Sequence, residues 1–141
     1  MYLFDSDHLA ILQHRTSPEC QRILARMQAY ADEDFFVPVV SFHEQMLGWH
    51  TYISRAKDSA GLIRGYQRMQ KILTDFSEAQ VLAFDKGAAE EYDRLLALSL
   101  RVGSMDLRIA AIALSHDFTL LTRNFTDFSR IPNLRFEDWT S

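Results

Sequence analysis

The sequence predicts an α/β domain with a mostly parallel central sheet of about four to five short strands. Two observations carry this. Short apolar segments of three to six residues alternate with longer stretches patterned at helical spacing, and such alternation gives helices packed on a parallel sheet. The 141 residues also amount to one domain, and we expect no split between residues 1 and 141.

The elements follow in order. Tyr2–Phe4 reads as a buried strand that stops at Asp5-Ser6-Asp7, residue types whose oxygens accept from the free amides of a helix start. A helix is expected over His8–Gln13, and another over Ser17–Ala31 with Ile23, Leu24 and Met27 on one side. Phe35–Val40 is apolar and β-branched, a second strand, although Pro38 favours an edge or a bulge. Ser41–Arg55 and Ala60–Phe76 read as helices, the latter with Leu62, Ile63, Tyr66, Met69, Ile72 and Leu73 at helical spacing. Val81–Phe84 is a third strand and Gly87–Leu100 a helix with Ala89, Tyr92, Leu95, Leu96 and Leu98 inward. Met105–Ser115 is a small-residue helix, Thr119–Thr122 a fourth strand and Leu134–Phe136 a fifth.

Composition narrows the function classes. With 48% hydrophobic residues the chain can build an ordinary core, burying roughly 68% of its surface. A single cysteine, Cys20, excludes an internal disulfide and a cysteine zinc site, and fits a reducing cytosol. No signal peptide and no apolar run of membrane-spanning length is present, so a cytoplasmic protein away from membranes is expected. The net charge of −4 argues mildly against nucleic acid. Its distribution argues the other way: between residues 51 and 74, Arg55, Lys57, Arg64, Arg68 and Lys71 stand against Asp58 alone. A basic face is thus available despite the negative total.

Acidic and amide residues recur where each strand ends or each following helix begins. Asp5 and Asp7 follow the first strand, Glu44 lies in the opening turn after the second, Asp106 opens the helix leading to the fourth, and Asn124 and Asp127 follow the fourth. Ligands of parallel sheets gather at the carboxyl ends of the strands. Carboxylates there suit a hard cation such as Mg²⁺ or Mn²⁺, which prefers oxygen donors. Each residue also has a plainer role. Asp5 can cap the first helix, Ser41-Phe42-His43-Glu44 has the form of a capping box, and Asp106 is favoured in a first helical turn by the helix dipole. Asn124 and Asp127 suit turns. His43 and His50 share a helical face but have no obvious third ligand. No glycine-rich phosphate loop or nucleophile elbow occurs.

Four segments, in order, resemble the motifs of PIN-domain nucleases. Tyr-Leu-Phe-Asp-Ser-Asp-His-Leu at 2–9 is similar to their first, a strand ending in Leu-Asp-Thr-Asn-x-Leu. Val-Pro-Val-Val-Ser-Phe-His-Glu at 37–44 resembles the second, Met-Asp-Leu-Arg-Ile-Ala-Ala-Ile-Ala at 105–113 the third, and Leu-Leu-Thr-Arg-Asn-Phe-Thr-Asp-Phe at 120–128 the fourth. The ending, Ile-Pro-Asn-Leu-Arg-Phe-Glu-Asp-Trp at 131–139, resembles the close of VapC-type toxins. The resemblance implies a PIN-like three-layer α/β/α fold and a Mg²⁺- or Mn²⁺-dependent endoribonuclease using one or two ions. It further implies the toxin of a type II toxin–antitoxin pair, a homodimer with RNA as substrate and a cognate antitoxin as partner. Asp5, Glu44 and Asp106 match the family's acidic ligands. Asn124 and Asp127 fall in its fourth motif, with Asp127 a further ligand and both residues catalytic candidates, and Thr122 matches a hydroxyl common there. Ser6 stands where Thr is usual and Asp7 where Asn is usual, so Asp7 would add negative charge beside the ion. Ser6, Asp7, Thr122, Arg108 and Arg123 are the candidate substrate contacts. Two other readings stay open. One is a PIN-like module that binds RNA or protein without cutting. The other is a haloacid-dehalogenase-like phosphatase using Asp5-Ser6-Asp7, for which the later lysine and acidic pair are lacking.

Overall fold

The computed structural model describes residues 1–141. Five parallel strands, β1 (Tyr2–Phe4), β2 (Phe35–Pro38), β3 (Val81–Leu82), β4 (Thr119–Leu121) and β5 (Phe136–Glu137), lie in the order β3-β2-β1-β4-β5. Between them run α1 (Ser6–Gln13), α2 (Pro18–Met27), α3 (Val39–Ser54), α4 (Ser59–Ser77), α5 (Lys86–Ala97), α6 (Ser104–His116) and α7 (Phe125–Phe128), with a 3₁₀ turn at Asp32–Asp34. The strand order reverses at β1, which pairs with β2 on one side (Leu3↔Phe36) and β4 on the other (Leu3↔Leu120). The carboxyl end of β1 is therefore the switch point of the sheet, where open α/β sheets bind ligands.

Successive strand side chains point to opposite faces, and the core divides accordingly. Leu3 and Leu120 pack against α5 and α6, with Ala88, Leu95, Leu107 and Ala110–Ala113. Phe4, Val37 and Leu121 pack on the other face with Ile23, Ile72, Phe76 and Trp139. The result is three layers, as expected. The alanine-rich α6 allows the close approach of α5, and Ile109 to Ala113 are wholly buried. No helix is long and apolar enough to cross a membrane.

Several expected boundaries move. The first helix starts at Ser6, directly after the strand, and α2 ends at Met27 rather than Ala31. The second strand stops at Pro38, and Val39 and Val40 are already helical. Pro38 sits in an interior strand, not at an edge, but as its last residue and the N-cap of α3. There its missing N–H removes little from the ladder. The third strand is only Val81–Leu82, and the fifth lies at Phe136–Glu137. The apolar stripe of α4 is mostly not core: Ile72 and Phe76 are buried, while Leu62, Ile63, Tyr66 and Leu73 are 40–63% exposed. Leu96 and Leu98 likewise face outward.

Candidate active site

Asp5 directly follows β1 and is only 5% exposed. Its amide extends the sheet by donating to the Leu121 carbonyl at 2.9 Å. It is also the N-cap of α1, as its plainer role required, with Oδ1 accepting from the Ser6 amide at 2.7 Å. The other oxygen, Oδ2, accepts from Thr122 Oγ1 at 2.8 Å. Thr122 is fully buried just past β4, and its hydroxyl also accepts from the Asn124 amide at 2.9 Å. One hydroxyl thus fixes both the first carboxylate and the loop that carries the fourth motif.

Glu44 does not act as a capping-box partner. Because α3 begins at Val39, Ser41 lies inside the first turn and is fully buried. Glu44 Oε1 instead accepts from Ser6 Oγ at 2.7 Å, and Ser6 Oγ lies 2.9 Å from Ser41 Oγ. Asp106 is in the first turn of α6, half-buried. Asn124 caps α7: its carbonyl accepts from the Asp127 amide at 3.2 Å and its amide donates to Asp127 Oδ2 at 3.0 Å. Arg130 approaches the other Asp127 oxygen at 3.5 Å.

Electrostatics ties these four acids together. Burial pushes the Asp5 carboxyl up to about 6, opposed by the hydrogen bonds from Thr122 and Ser6 and reinforced by the charges of Asp106 and Glu44. Asp106 is also raised, first by burial and then by the charges of Glu44 and Asp127. Like charges at one locus disfavour ionisation, and perturbed carboxylates in a cluster are the usual sign of a working site. No three acidic, histidine or cysteine side chains converge as a ready-made cage. Mg²⁺ does not require one, since it binds through one or two carboxylates and keeps several waters. An all-oxygen set of mutually repelling carboxylates fits such an ion.

The remaining candidates sort differently. Asp7 is not an extra free charge at the cluster: both its oxygens accept from Arg123, at 2.6 and 2.7 Å, in a pair that is partly exposed. This pairing accounts for an acid where Asn is usual, and it also occupies Arg123. Arg108 lies over the Tyr92 ring at 5.7 Å and contacts Met105 sulfur. In the basic stretch, Arg64 donates to Tyr52, Arg68 lies over Trp49 at 5.9 Å and Lys71 pairs with Asp75. His43 and His50 join no metal-holding group.

Sequence reasoning missed Ser41 as a site residue and gave His8 no role. His8 is fully buried and its Nε2 accepts from the Trp139 amide at 3.2 Å, fastening the C-terminal segment beside α1. Burial lowers its pKa, which suits an acceptor nitrogen. A polar residue on the otherwise apolar side of a short helix was the available signal. A cavity of about 550 Å³ lies away from the acids, toward the amino ends of β2 and β3, floored by Phe4, Leu9, Phe35 and Val37 and rimmed by Arg15, Asp32, Lys71 and Asp75.

Comparison with known proteins agrees with this fold. Ribonuclease VapC2 of Rickettsia felis is 48% identical over 40 residues, a stretch covering 28% of this chain and 30% of that protein. The crystal structure of VapBC2 from Rickettsia felis bound to a promoter DNA fragment contains a chain that superposes with a TM-score of 0.71 at 22% identity, covering 98% of both chains. VapBC-1 from nontypeable Haemophilus influenzae gives 0.75 at 21% identity, covering 99% of this chain and 98% of that one. The PIN domain family model matches residues 5–134. With its sheet order, its acids at the β1 switch point and this match across nearly its whole length, the chain belongs to the PIN-domain family.

Proposed function

We propose that this chain is a metal-dependent endoribonuclease, the toxin of a type II toxin–antitoxin pair. The observation that carries the reading is the cluster of Asp5, Glu44, Asp106 and Asp127. They come from four separate elements, and Asp5 and Asp106 are raised in pKa by burial and by their acidic neighbours. A protein gains nothing in stability from crowding carboxylates around a buried one, Asp5; a cation repays the cost.

Asp5, Glu44 and Asp106, with Asp127 beside them, would hold one or two Mg²⁺ or Mn²⁺ ions. Such ions, when bound, activate water and neutralise phosphate charge during in-line displacement. The protein's own share is positioning. Thr122 and the Ser6 amide hold the two Asp5 oxygens, Ser6 holds Glu44, and Asn124 holds Asp127. Asn124 is thus a support for Asp127 as well as a catalytic candidate. Of the basic stretch between residues 51 and 74 only Lys71 has a carboxylate partner, so Arg55, Lys57, Arg64 and Arg68 are the groups we assign to RNA phosphates.

The antitoxin reading is supported by the neighbours solved as toxin–antitoxin complexes. The exposed Leu62, Ile63, Tyr66 and Leu73 give α4 an apolar face for the second copy of a homodimer. Family membership leaves no support for the phosphatase alternative.

The test is cleavage of an RNA pool with Mn²⁺ by the wild type, Asp5→Asn and Asp106→Asn. Cleavage by the wild type, with at least a hundredfold loss (about 2.7 kcal/mol or more) in both variants, is expected. No cleavage by the wild type, or undiminished cleavage by either variant, overturns the reading.

A further inference from the structure

Ser6 and Ser41 come from helices that start side by side, because β1 and β2 pair in parallel and α1 and α3 leave their adjacent ends. Their hydroxyl oxygens are 2.9 Å apart. The geometry alone leaves the donor of that bond open, but the neighbouring acid closes it. Ser6 has one hydroxyl proton, and it goes to Glu44 Oε1 at 2.7 Å, where the carboxylate oxygen accepts. The Ser6–Ser41 bond must then be made with the Ser41 proton. The chain runs one way: Ser41 O–H to Ser6 Oγ, Ser6 O–H to Glu44.

Ser41 is fully buried in the first turn of α3. Serine inside a helix usually turns its hydroxyl back to its own carbonyls, yet here the bond crosses to another helix. We propose that Ser41 is a positioning residue for the carboxylate cluster, holding Ser6 in the one rotamer that presents its proton to Glu44. This rests on the nuclease reading above. Donating to Ser6 also polarises the Ser6 hydroxyl toward the carboxylate, since hydrogen-bonded chains polarise one another. A serine at the start of α1 otherwise has three staggered rotamers to choose from. Ser41 is the one side chain that donates to Ser6 Oγ, so deleting its oxygen removes the constraint.

The test is a double-mutant cycle of Ser41→Ala and Ser6→Ala, read as kcat and KM for RNA cleavage with Mn²⁺, together with a crystal structure of metal-free Ser41→Ala. Loss of a hydrogen bond acting on a charged group predicts a fall in kcat of about tenfold to a hundredfold for Ser41→Ala. KM should stay within about twofold, and Ser41→Ala should cost nothing further in the Ser6→Ala background. In the crystal, Ser6 should spread over more than one rotamer and lose Glu44. Unchanged kcat, or the same kcat loss with and without the Ser6 hydroxyl, overturns the proposal. So does a Ser6 that keeps its single rotamer on Glu44. The crystal result decides the matter even if the wild type cuts no RNA, which would be the separate failure of the nuclease reading.

Discussion

Replacing Asp5 with Asn should stabilise the metal-free protein, and only at pH values where Asp5 would be ionised. In the fold its carboxyl titrates near 6 against an ordinary 3.8, chiefly because it is buried. An acid whose folded pKa is raised carries a penalty when ionised. The penalty is absent below the unfolded pKa, grows between about pH 4 and pH 6, and is complete above. At about 1.4 kcal/mol per pH unit, it reaches about 3 kcal/mol. Asn keeps the Oδ1 acceptor for Ser6 but exchanges the Thr122 bond for a poorer one, which returns about 1 kcal/mol. The net gain is about 2 kcal/mol, or about 4–8 °C in Tm for a chain of this size. Thermal unfolding in a chelator should therefore place Asp5→Asn above the wild type at pH 8, with the difference vanishing near pH 4 and reversing by up to about 1 kcal/mol below it, where only the poorer Thr122 bond is left. A variant that is less stable at pH 8, or a difference that ignores pH, would refute the claim that Asp5 is a strained carboxylate.

Three further changes bear on neighbouring features. Thr122→Val removes the buried donor to Asp5 and the acceptor for the Asn124 amide, so it should cost about 1–3 kcal/mol in urea unfolding. It should also push the Asp5 carboxyl still higher by carboxyl NMR, since the Thr122 bond lowers it. Asp7→Asn should cost under about 1 kcal/mol and vanish in high salt, because its pair with Arg123 is partly exposed. Mn²⁺ affinity in that variant should hold within about threefold; a tenfold loss by calorimetry would make Asp7 a ligand. Gly65→Ala would place a Cβ 2.3 Å from Ile53 Cγ1 where α3 crosses α4. Chemical denaturation should show a loss of about 1–3 kcal/mol from overpacking, despite alanine's better helix propensity; equal stability would mean that Ile53 yields freely.

The layers of this fold were readable because apolar strand runs and helical periodicity are local signals. Leu3, Leu120 and the alanines of α6 are core for the reasons their spacing suggested. Boundaries were less readable, since Val39 and Val40 favour strand by their branching yet are claimed by the helix that Pro38 starts. Periodicity also does not say what an apolar face meets, so Leu62, Tyr66 and Leu73 read as core and lie exposed. At the site, the placement of Asp5, Asp106 and Asp127 after strands or in first turns was visible along the chain; Glu44, expected in an opening turn, is the sixth residue of α3 because that helix starts at Val39. The partnerships were not: Ser6 with Ser41, Thr122 with Asp5 and Arg123 with Asp7 join residues 35, 117 and 116 positions apart. Nothing local marks such pairs. The capping-box form of Ser41 to Glu44 misled for this reason, because a three-residue spacing is shared by a helix cap and by two residues facing the same cleft.

The central claim is that these carboxylates are gathered for a cation, and direct Mn²⁺ titration followed by electron paramagnetic resonance tests it without any RNA. The wild type should take up one or two Mn²⁺ ions, and Asp5→Asn and Asp106→Asn should each weaken uptake by about tenfold or more. A wild type that binds no Mn²⁺, or variants that bind it equally well, would contradict the account.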